Sequence, residues 1–385
     1  MAALTLVACD SSSTPRLPHD PLVIRPTITD TSRYLFDTRS IARRGSDGVM
    51  FVDPATGDAT DTVPPPPGPP GQADTDVAAW FIVDTADDTY VGFVLEVSYP
   101  QDGLIPPSTE MWIYTVSRRT GATVYERRIE PSGTFDPAES YLDDDVVVDR
   151  AGTAVFTVDG DLGQGILAVP FLPGRTAWYR DADGSNGGWQ ALAVANGVVL
   201  VSKATSDEGL YGVEAATGTT LWHLPVDDVR SHPDCVVVHG DHFVVLSDTF
   251  GDFPLTVTIR DGAVSAAQTV DDGCAVDPAG NTIVSTGAPM IAYNLPDGRE
   301  LWSLPKDQVR GLGLKVVGIY GGLLYVKTDT ERLVLDARTG QEVGTDWVAF
   351  PLEVHDGWIL AHHISYSGPV IYPGTELPAP KTTTA

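Results

Sequence analysis

Apolar and polar residues alternate along most of this chain in runs of four to six, each run closed by Gly, Asn, Asp or Pro. Residues 192–197 and 198–203 (Leu-Ala-Val-Ala-Asn-Gly, then Val-Val-Leu-Val-Ser-Lys) show the pattern, as do 315–319 with 323–327, and 274–276 with 282–285. Period two marks strands, and an Asn-Gly or Gly-Gly step between two such runs marks a hairpin. No run reaches the ~18 apolar residues needed to cross a bilayer as a helix.

The strands recur in a longer unit. An alternating apolar stretch leads into a turn ending in Gly, and an aromatic often follows four residues later. The clearest copies hold Leu210, Tyr211, Val213, Thr217, Gly218 and Trp222, and Ile291, Tyr293, Leu295, Gly298 and Trp302. A third runs from Leu333 through Asp336 and Thr339 to Gly340. Earlier or weaker copies end at Gly57, Gly121, Gly174 and Gly262. The gaps between successive turn glycines are 64, 53, 44, 44, 36 and 42 residues, close to the ~40–50 residues of a four-stranded propeller blade. The longest gap contains a Pro-rich segment, 63–72, that must loop out because Pro cannot donate to a ladder.

Each part of the unit has a physical role. Gly supplies the positive φ that closes the turn, and Asp or Thr bonds the turn backbone. Alternation lets a sheet bury both faces against neighbours. An aromatic four past the Gly offers a large surface for docking one blade on the next. Tyr125, Trp178, Trp222 and Trp302 hold that place, whereas Asp61, Ala266 and Gly344 stand there in other copies.

This register resembles the PQQ-like β-propeller repeat family, whose unit reads roughly Asp-Gly, apolar strand, Leu-Tyr-Ala-Leu-Asp, Thr-Gly and a Trp four later. The resemblance covers about residues 48–365. It implies an all-β propeller of four-stranded antiparallel blades. Seven turn glycines predict seven blades, with six or eight as alternatives, since 22–45 could add strands. Apolar runs at 351–354 and 358–363 have no hairpin of their own. The N-terminal strands ending at Gly57 and these C-terminal strands are therefore expected to share one blade, which removes open edges. The expected organisation is 1–9 as a partial lipoprotein signal, 10–30 as a flexible tether, 31–374 as the propeller and 375–385 as a flexible tail.

Charge narrows the partners. Asp and Glu number 52 against 24 Lys and Arg, a formal net charge of -28, and only five of the cations are Lys. Such a chain repels phosphate backbones, so nucleic acid is excluded as a partner, and it has no means of docking on anionic lipid through a basic patch. Near the start, Leu6-Val7-Ala8-Cys9 resembles a bacterial lipobox, preceded by a shorter apolar stretch than export signals carry and by no basic residue. Lipidation of Cys9 would be the route to a membrane, with Ser11-Ser12-Ser13-Thr14-Pro15 as tether. The expected location is the outer face of the cytoplasmic membrane, the periplasm or the cell surface. An exported protein can form disulfides, and Cys235 and Cys274 begin equivalent inner strands of consecutive units, where a bridge between them is expected.

Catalytic patterns are weak. The run 181–188 has the wrong spacing for a Ca²⁺ loop, and 143–145 reads as an exposed turn. His223, His232, His239 and His242 lack metal-site spacing, and His362 and His363 face opposite sides of a strand. No Gly-x-Ser-x-Gly elbow occurs. The family resemblance brings quinone enzymes into view, yet no vicinal cysteine pair or cofactor carboxylate set is present; no cofactor, PQQ included, and no metal is expected. The reading is a monomeric, non-enzymatic envelope lipoprotein whose propeller binds an envelope protein or a small ligand at a channel mouth. The resemblance extends to the propeller lipoproteins that assist outer-membrane assembly. The alternative is a propeller enzyme, a lyase, hydrolase or quinone-dependent dehydrogenase, with its site in the central channel.

Overall fold

A computed structural model describes residues 22–373 apart from 24–33, 37–39, 46, 54–57, 73, 102–107, 130–140, 150, 161–162, 174, 176, 181–187, 204–208, 226–234, 247–253, 268–273, 278–280, 296, 346, 348, 356–357 and 364–368. The described residues form eight four-stranded antiparallel sheets and one short helix. In seven of the sheets the spatial order of strands is the chain order, as local hairpins dictate. We number these sheets as blades by their first strands. Blade 1 opens with Tyr34–Phe36, blade 2 with Asp74–Asp84, blade 3 with Tyr141–Asp149 and blade 4 with Trp189–Ala195. Blade 5 opens with Cys235–His239, blade 6 with Cys274–Asp277, blade 7 with Lys315–Tyr320 and blade 8 with Ala349–His355.

Blade 4 shows how alternation builds the ring. One row runs straight across it, Ala191 opposite Val201, Val201 opposite Tyr211 and Tyr211 opposite His223. Its second strand, Val198–Lys203, is buried throughout, while its fourth, Thr220–Pro225, buries only Trp222. The second strand is sandwiched between neighbours, and the fourth forms the rim. Successive residues divide between the two seams. Val199 and Val201 join the apolar cluster shared with blade 3, and Val198 and Leu200 join the one shared with blade 5, because neighbouring Cβ atoms in a strand point oppositely. First strands of consecutive blades lie against one another from blade 1 to blade 5 and again from blade 6 to blade 8. They are the inner strands of a propeller, as the sequence leads one to expect.

The ring closes through both chain ends. Leu22 pairs with Ile371 and Val23 with Val370, so Leu22–Val23 is the fourth strand of blade 8, beside Pro369–Pro373. A blade shared by the two termini is present, with a different division from the one expected. The hairpin that ends near Gly57 belongs to a complete blade of its own, whose first two strands are Tyr34–Phe36 and Ile41–Gly45. Eight sheets therefore stand where seven were favoured. The reason is physical: strands of two or three residues take their conformation from a neighbour's ladder and carry no alternation of their own. Leu22–Val23 also falls inside 10–30, so that segment is not tether throughout. The rest of 1–30, and 375–385, lie outside the described residues.

One further departure is helical. Lys306–Leu312 forms a helix between blades 6 and 7, ended by Gly313 at φ 60. Its Val309 is buried in the apolar cluster between those blades. No helix among the described residues is long and apolar enough to cross a membrane.

The core holds phenols that resist ionisation. Burial, then Glu126 and Tyr99, push Tyr114 up to about 12; burial, then Glu300, push Tyr293 up to about 12; Tyr325 is raised further, first by burial and then by Tyr320. A phenol whose folded pKa lies above its unfolded value stabilises the fold below about pH 10, and loses that contribution as pH rises through the folded value. Absorbance at 295 nm is thus expected to leave at least these three phenols neutral while the protein stays folded. Denaturant stability should fall between roughly pH 10 and 12. Complete phenolate titration by pH 11 with the fold intact would contradict it.

Candidate functional site

Four antiparallel strands per blade give the ring two unlike ends. The turns between first and second strands and between third and fourth strands lie at one end, which we call the turn end. The loop between second and third strands and the link to the next blade lie at the other, the link end.

The turn end is where blades lock together. Trp178 of blade 3 donates its indole N–H to Ala215 O of blade 4 at 2.9 Å. Trp222 of blade 4 donates to Ile259 O of blade 5 at 2.8 Å, and Trp302 of blade 6 to Ala337 O of blade 7 at 2.8 Å. Each acceptor lies three residues before the turn Gly of the receiving blade. The rings lie over that Gly. A Cβ on Gly218 would come within 2.8 Å of the Trp178 ring, on Gly262 within 2.7 Å of Trp222, and on Gly340 within 2.9 Å of Trp302. Gly218, Gly262 and Gly340 have φ between 69 and 74, and Gly121 and Gly298 have φ 67 and 65. Gly57 and Gly174 lie outside the described residues.

Other seams use other chemistry. Tyr125 packs into the cluster between blades 2 and 3, where Thr115 Oγ1 donates to Phe171 O at 2.8 Å. Between blades 1 and 2, Asp61 stands in the docking place and meets Arg118 at 3.0 Å, and the Arg118 guanidinium lies 3.9 Å from the Phe51 ring centroid. Arg118 is three residues before Gly121, so an ion pair fills the geometry that an indole and a carbonyl fill elsewhere. Exposed pairs of this kind add about 0–1 kcal/mol. Accordingly, Arg118→Ala is expected to shift stability by less than about 1 kcal/mol, read from the denaturation midpoint. A loss of several kcal/mol would show that the stacking on Phe51 dominates the pair.

Buried carboxylates tie the same end together. Asp84 Oδ1 accepts from Ser40 Oγ of blade 1 at 2.7 Å and from Thr89 Oγ1 at 2.6 Å. Asp277 Oδ2 of blade 6 accepts from Gly322 N of blade 7 at 2.6 Å. Each closes a first strand, and each uses the turn of a neighbouring blade to satisfy a buried charge.

The link end carries a recess between blades 7 and 8 of about 360 Å³. The turn Lys327–Arg332 forms one wall, held by Thr328, whose Oγ1 accepts from Glu331 N at 2.8 Å. Trp347, Phe350 and His362 form the floor. The rings interlock edge to face: Trp347 to Phe350 at 5.4 Å and Phe350 to His362 at 5.2 Å between centroids. Trp347 is buried and donates to Val326 O at 3.0 Å, and the Arg332 guanidinium lies 5.6 Å from its ring. An aromatic floor with cations and carboxylates at its lip combines apolar area with orienting charge.

A second cation–aromatic column joins blades 3 and 4. Arg180 and Lys203 lie 4.8 and 5.2 Å from the Trp189 centroid, and Tyr211 stacks on His223 at 4.1 Å. Arg180 also donates to Gly218 O at 2.7 Å, and burial lowers its pKa. These bonds account for it as a strut between blades.

The aromatics at the seams repeat in the sequence and so are visible to sequence reading. Such reading misses the recess: Trp347, Phe350 and His362 occupy no repeated place, and the pairing of Phe350 with His362 across one hairpin of blade 8 meets the 327–332 turn of blade 7 only in the assembled ring. Cys274 is disulfide-bonded. The Cys235 side chain and all of Cys9 lie outside the described residues. Among the described residues no group of three or more His, Cys, Asp or Glu is placed to hold a metal ion.

Comparison with known proteins completes the description. Residues 109–273, from the third strand of blade 2 to just past the end of blade 5, match the PQQ-type family model described as "Outer membrane protein assembly factor BamB". No curated protein matches the chain. The crystal structure of BamB from Moraxella catarrhalis is similar at 14% identity and a TM-score of 0.47, over 88% of this chain and 94% of that one. The computationally designed protein Ika8 is similar at 13% identity and a TM-score of 0.48, over 88% and 95%. Sqt1 of Saccharomyces cerevisiae is similar at 9% identity and a TM-score of 0.40, over 79% and 97%. At such identities a likeness concerns architecture alone.

Proposed function

We propose that this PQQ-like propeller is a non-enzymatic, protein-binding scaffold of the bacterial envelope that serves the assembly of outer-membrane proteins. The match of 109–273 to an outer-membrane assembly factor carries the reading. The architecture supports it. Buried apolar clusters across six of the seams between neighbouring sheets favour a rigid body, and rigidity lowers the entropy cost of binding. The link end presents the loops between second and third strands, the links between blades and the recess of about 360 Å³. Tyr, Trp and Arg are the residue types that dominate the centres of protein interfaces, and Trp347 and Arg332 meet there. In this reading Cys9 bears the lipid, 10–21 tether the ring, the protein acts as a monomer, and no quinone takes part.

The experiment is a pull-down from native membranes with three forms of the full chain: wild type, Lys327→Glu with Arg332→Glu, and Arg119→Glu. The first variant reverses the lip of the recess; the second reverses an exposed cation at the turn end. Wild type and Arg119→Glu are expected to retain an outer-membrane assembly component, and the double variant to lose it at least tenfold, the scale of two interface charges. Equal capture by all three forms, or no assembly component with any of them, would overturn the reading.

A further inference from the structure

Among the described residues, the seam between blades 5 and 6 differs from its neighbours in the residues that lock it. Apolar clusters straddle blades 1 and 2, 2 and 3, 3 and 4, 4 and 5, 6 and 7, and 7 and 8. On the blade 5 side of blade 6, the cluster of Ile283, Tyr293 and Leu295 draws, among the described residues, on blade 6 alone. The docking place offers no help. Four residues past Gly262 stands Ala266, which has neither a ring nor an N–H to give. The carbonyl it would have to reach, three before Gly298, is that of Leu295. Wherever the other described seams carry an indole, that position donates a hydrogen bond of 2.8–2.9 Å.

Cys274 sits at this seam. It packs on the Ile283–Tyr293–Leu295 cluster together with Val276 and Ile291, while Ala275 between them packs toward blade 7. Strand alternation thus turns Cys274 toward blade 5, and Cys274 is disulfide-bonded. Blade 5 begins with Cys235 as blade 6 begins with Cys274, and Val236, the next residue, packs on the blade 4 side.

We propose that Cys235 and Cys274 form a covalent staple across the blade 5–blade 6 seam, taking over the locking role that an indole plays at the seams of Trp178, Trp222 and Trp302. The bond forms by thiol–disulfide exchange with an oxidised dithiol or low-molecular-weight disulfide of an oxidising compartment. The two cysteine thiols lose two protons and two electrons in making one S–S bond, and the donor disulfide takes both up and leaves as two thiols. The staple closes a loop of about 39 residues and restricts the unfolded chain accordingly. It goes beyond the scaffold reading and does not rest on it.

The test starts with non-reducing peptide mapping of the native full-length protein, expected to yield one linked peptide joining Cys235 to Cys274. A link from Cys274 to Cys9 or to a second chain would overturn the proposal. Reduction of the folded wild type is then expected to lower Tm by roughly 3–5 °C. Hydrogen exchange should rise at Cys235–His239 and Cys274–Asp277, with Trp189–Ala195 and Lys315–Tyr320 unchanged. A Tm insensitive to reductant, or exchange raised equally in all blades, would overturn it. The locking role has its own test: Cys235→Ala with Cys274→Ala should lose reductant sensitivity, and adding Ala266→Trp should recover at least half of the lost Tm. The same Trp placed at Gly344, at a different seam, should recover none; equal recovery from both would refute the substitution of staple for indole. Reduction of wild type needs no variant to fold, so the proposal stays testable if the double Ala form does not accumulate.

Discussion

Replacing Trp222 with Ala is expected to lower stability by about 3–5 kcal/mol, the usual cost of deleting a buried indole. The ring is 8% exposed and lies between two glycines, Gly212 of its own blade and Gly262 of the next. Either one would overlap the ring if it carried a Cβ. Neither glycine can grow to fill the space left behind, so relaxation will be partial and the cavity term substantial. The deletion also strips Ile259 O of its donor. Trp222→Phe separates the two contributions: it keeps most of the apolar area and loses the N–H, and should cost about 1–3 kcal/mol for the unsatisfied carbonyl. Equilibrium denaturation gives the totals, and hydrogen exchange over Pro254–Thr258 should report the opening of the blade 4–blade 5 seam. A Trp222→Ala protein within about 0.5 kcal/mol of wild type would mean the seam is held elsewhere.

The second large effect is expected from the other side of the same contact. Gly262→Ala should cost about 2–4 kcal/mol, combining the left-handed backbone penalty with overpacking. Gly262 has φ 70, a conformation that costs an L residue about 1–2 kcal/mol. Its Cβ would come within 2.7 Å of Trp222 Cδ2, and the indole cannot retreat because Gly212 lies behind it. A double-mutant cycle isolates the steric part. In the Trp222→Ala background only the backbone penalty survives, so Gly262→Ala should fall to about 1–2 kcal/mol, with a coupling of about 1–2 kcal/mol between the sites. Additive losses would show that turn and ring do not press on each other.

These two predictions also show how far the residues could be read in advance. Gly262 belongs to the most degenerate copy of the repeat, 44 residues after Gly218, and has φ 70. Trp222 was legible as a docking aromatic because Trp178 and Trp302 share its place. Its acceptor was not legible: any residue has a carbonyl, so nothing in Ile259 marks it as the partner. Ala266 and Asp61 look alike in sequence, as two losses of an aromatic. The structure separates them, because Asp61 finds Arg118 across its seam and Ala266 has no side chain to reach with. The recess was invisible for a related reason. Trp347 comes from the link into blade 8, Phe350 and His362 face each other across that blade's first hairpin, and none repeats.

What the chain determines alone is local. Alternation of Val, Leu and Ile with polar residues makes strands, and Gly at positive φ makes turns. These signals act between residues a few positions apart, where φ preferences and side-chain direction suffice. What only the tertiary structure decides is which strand closes the ring and what meets across each seam. The Trp N–H bonds span 35 to 37 residues, and Leu22–Val23 pairs with strand Pro369–Pro373 from the far end of the chain. A two-residue strand has no pattern of its own to read. It is held because an unpaired ladder edge on blade 8 leaves backbone donors and acceptors to satisfy, and the assembled ring brings that edge within its reach.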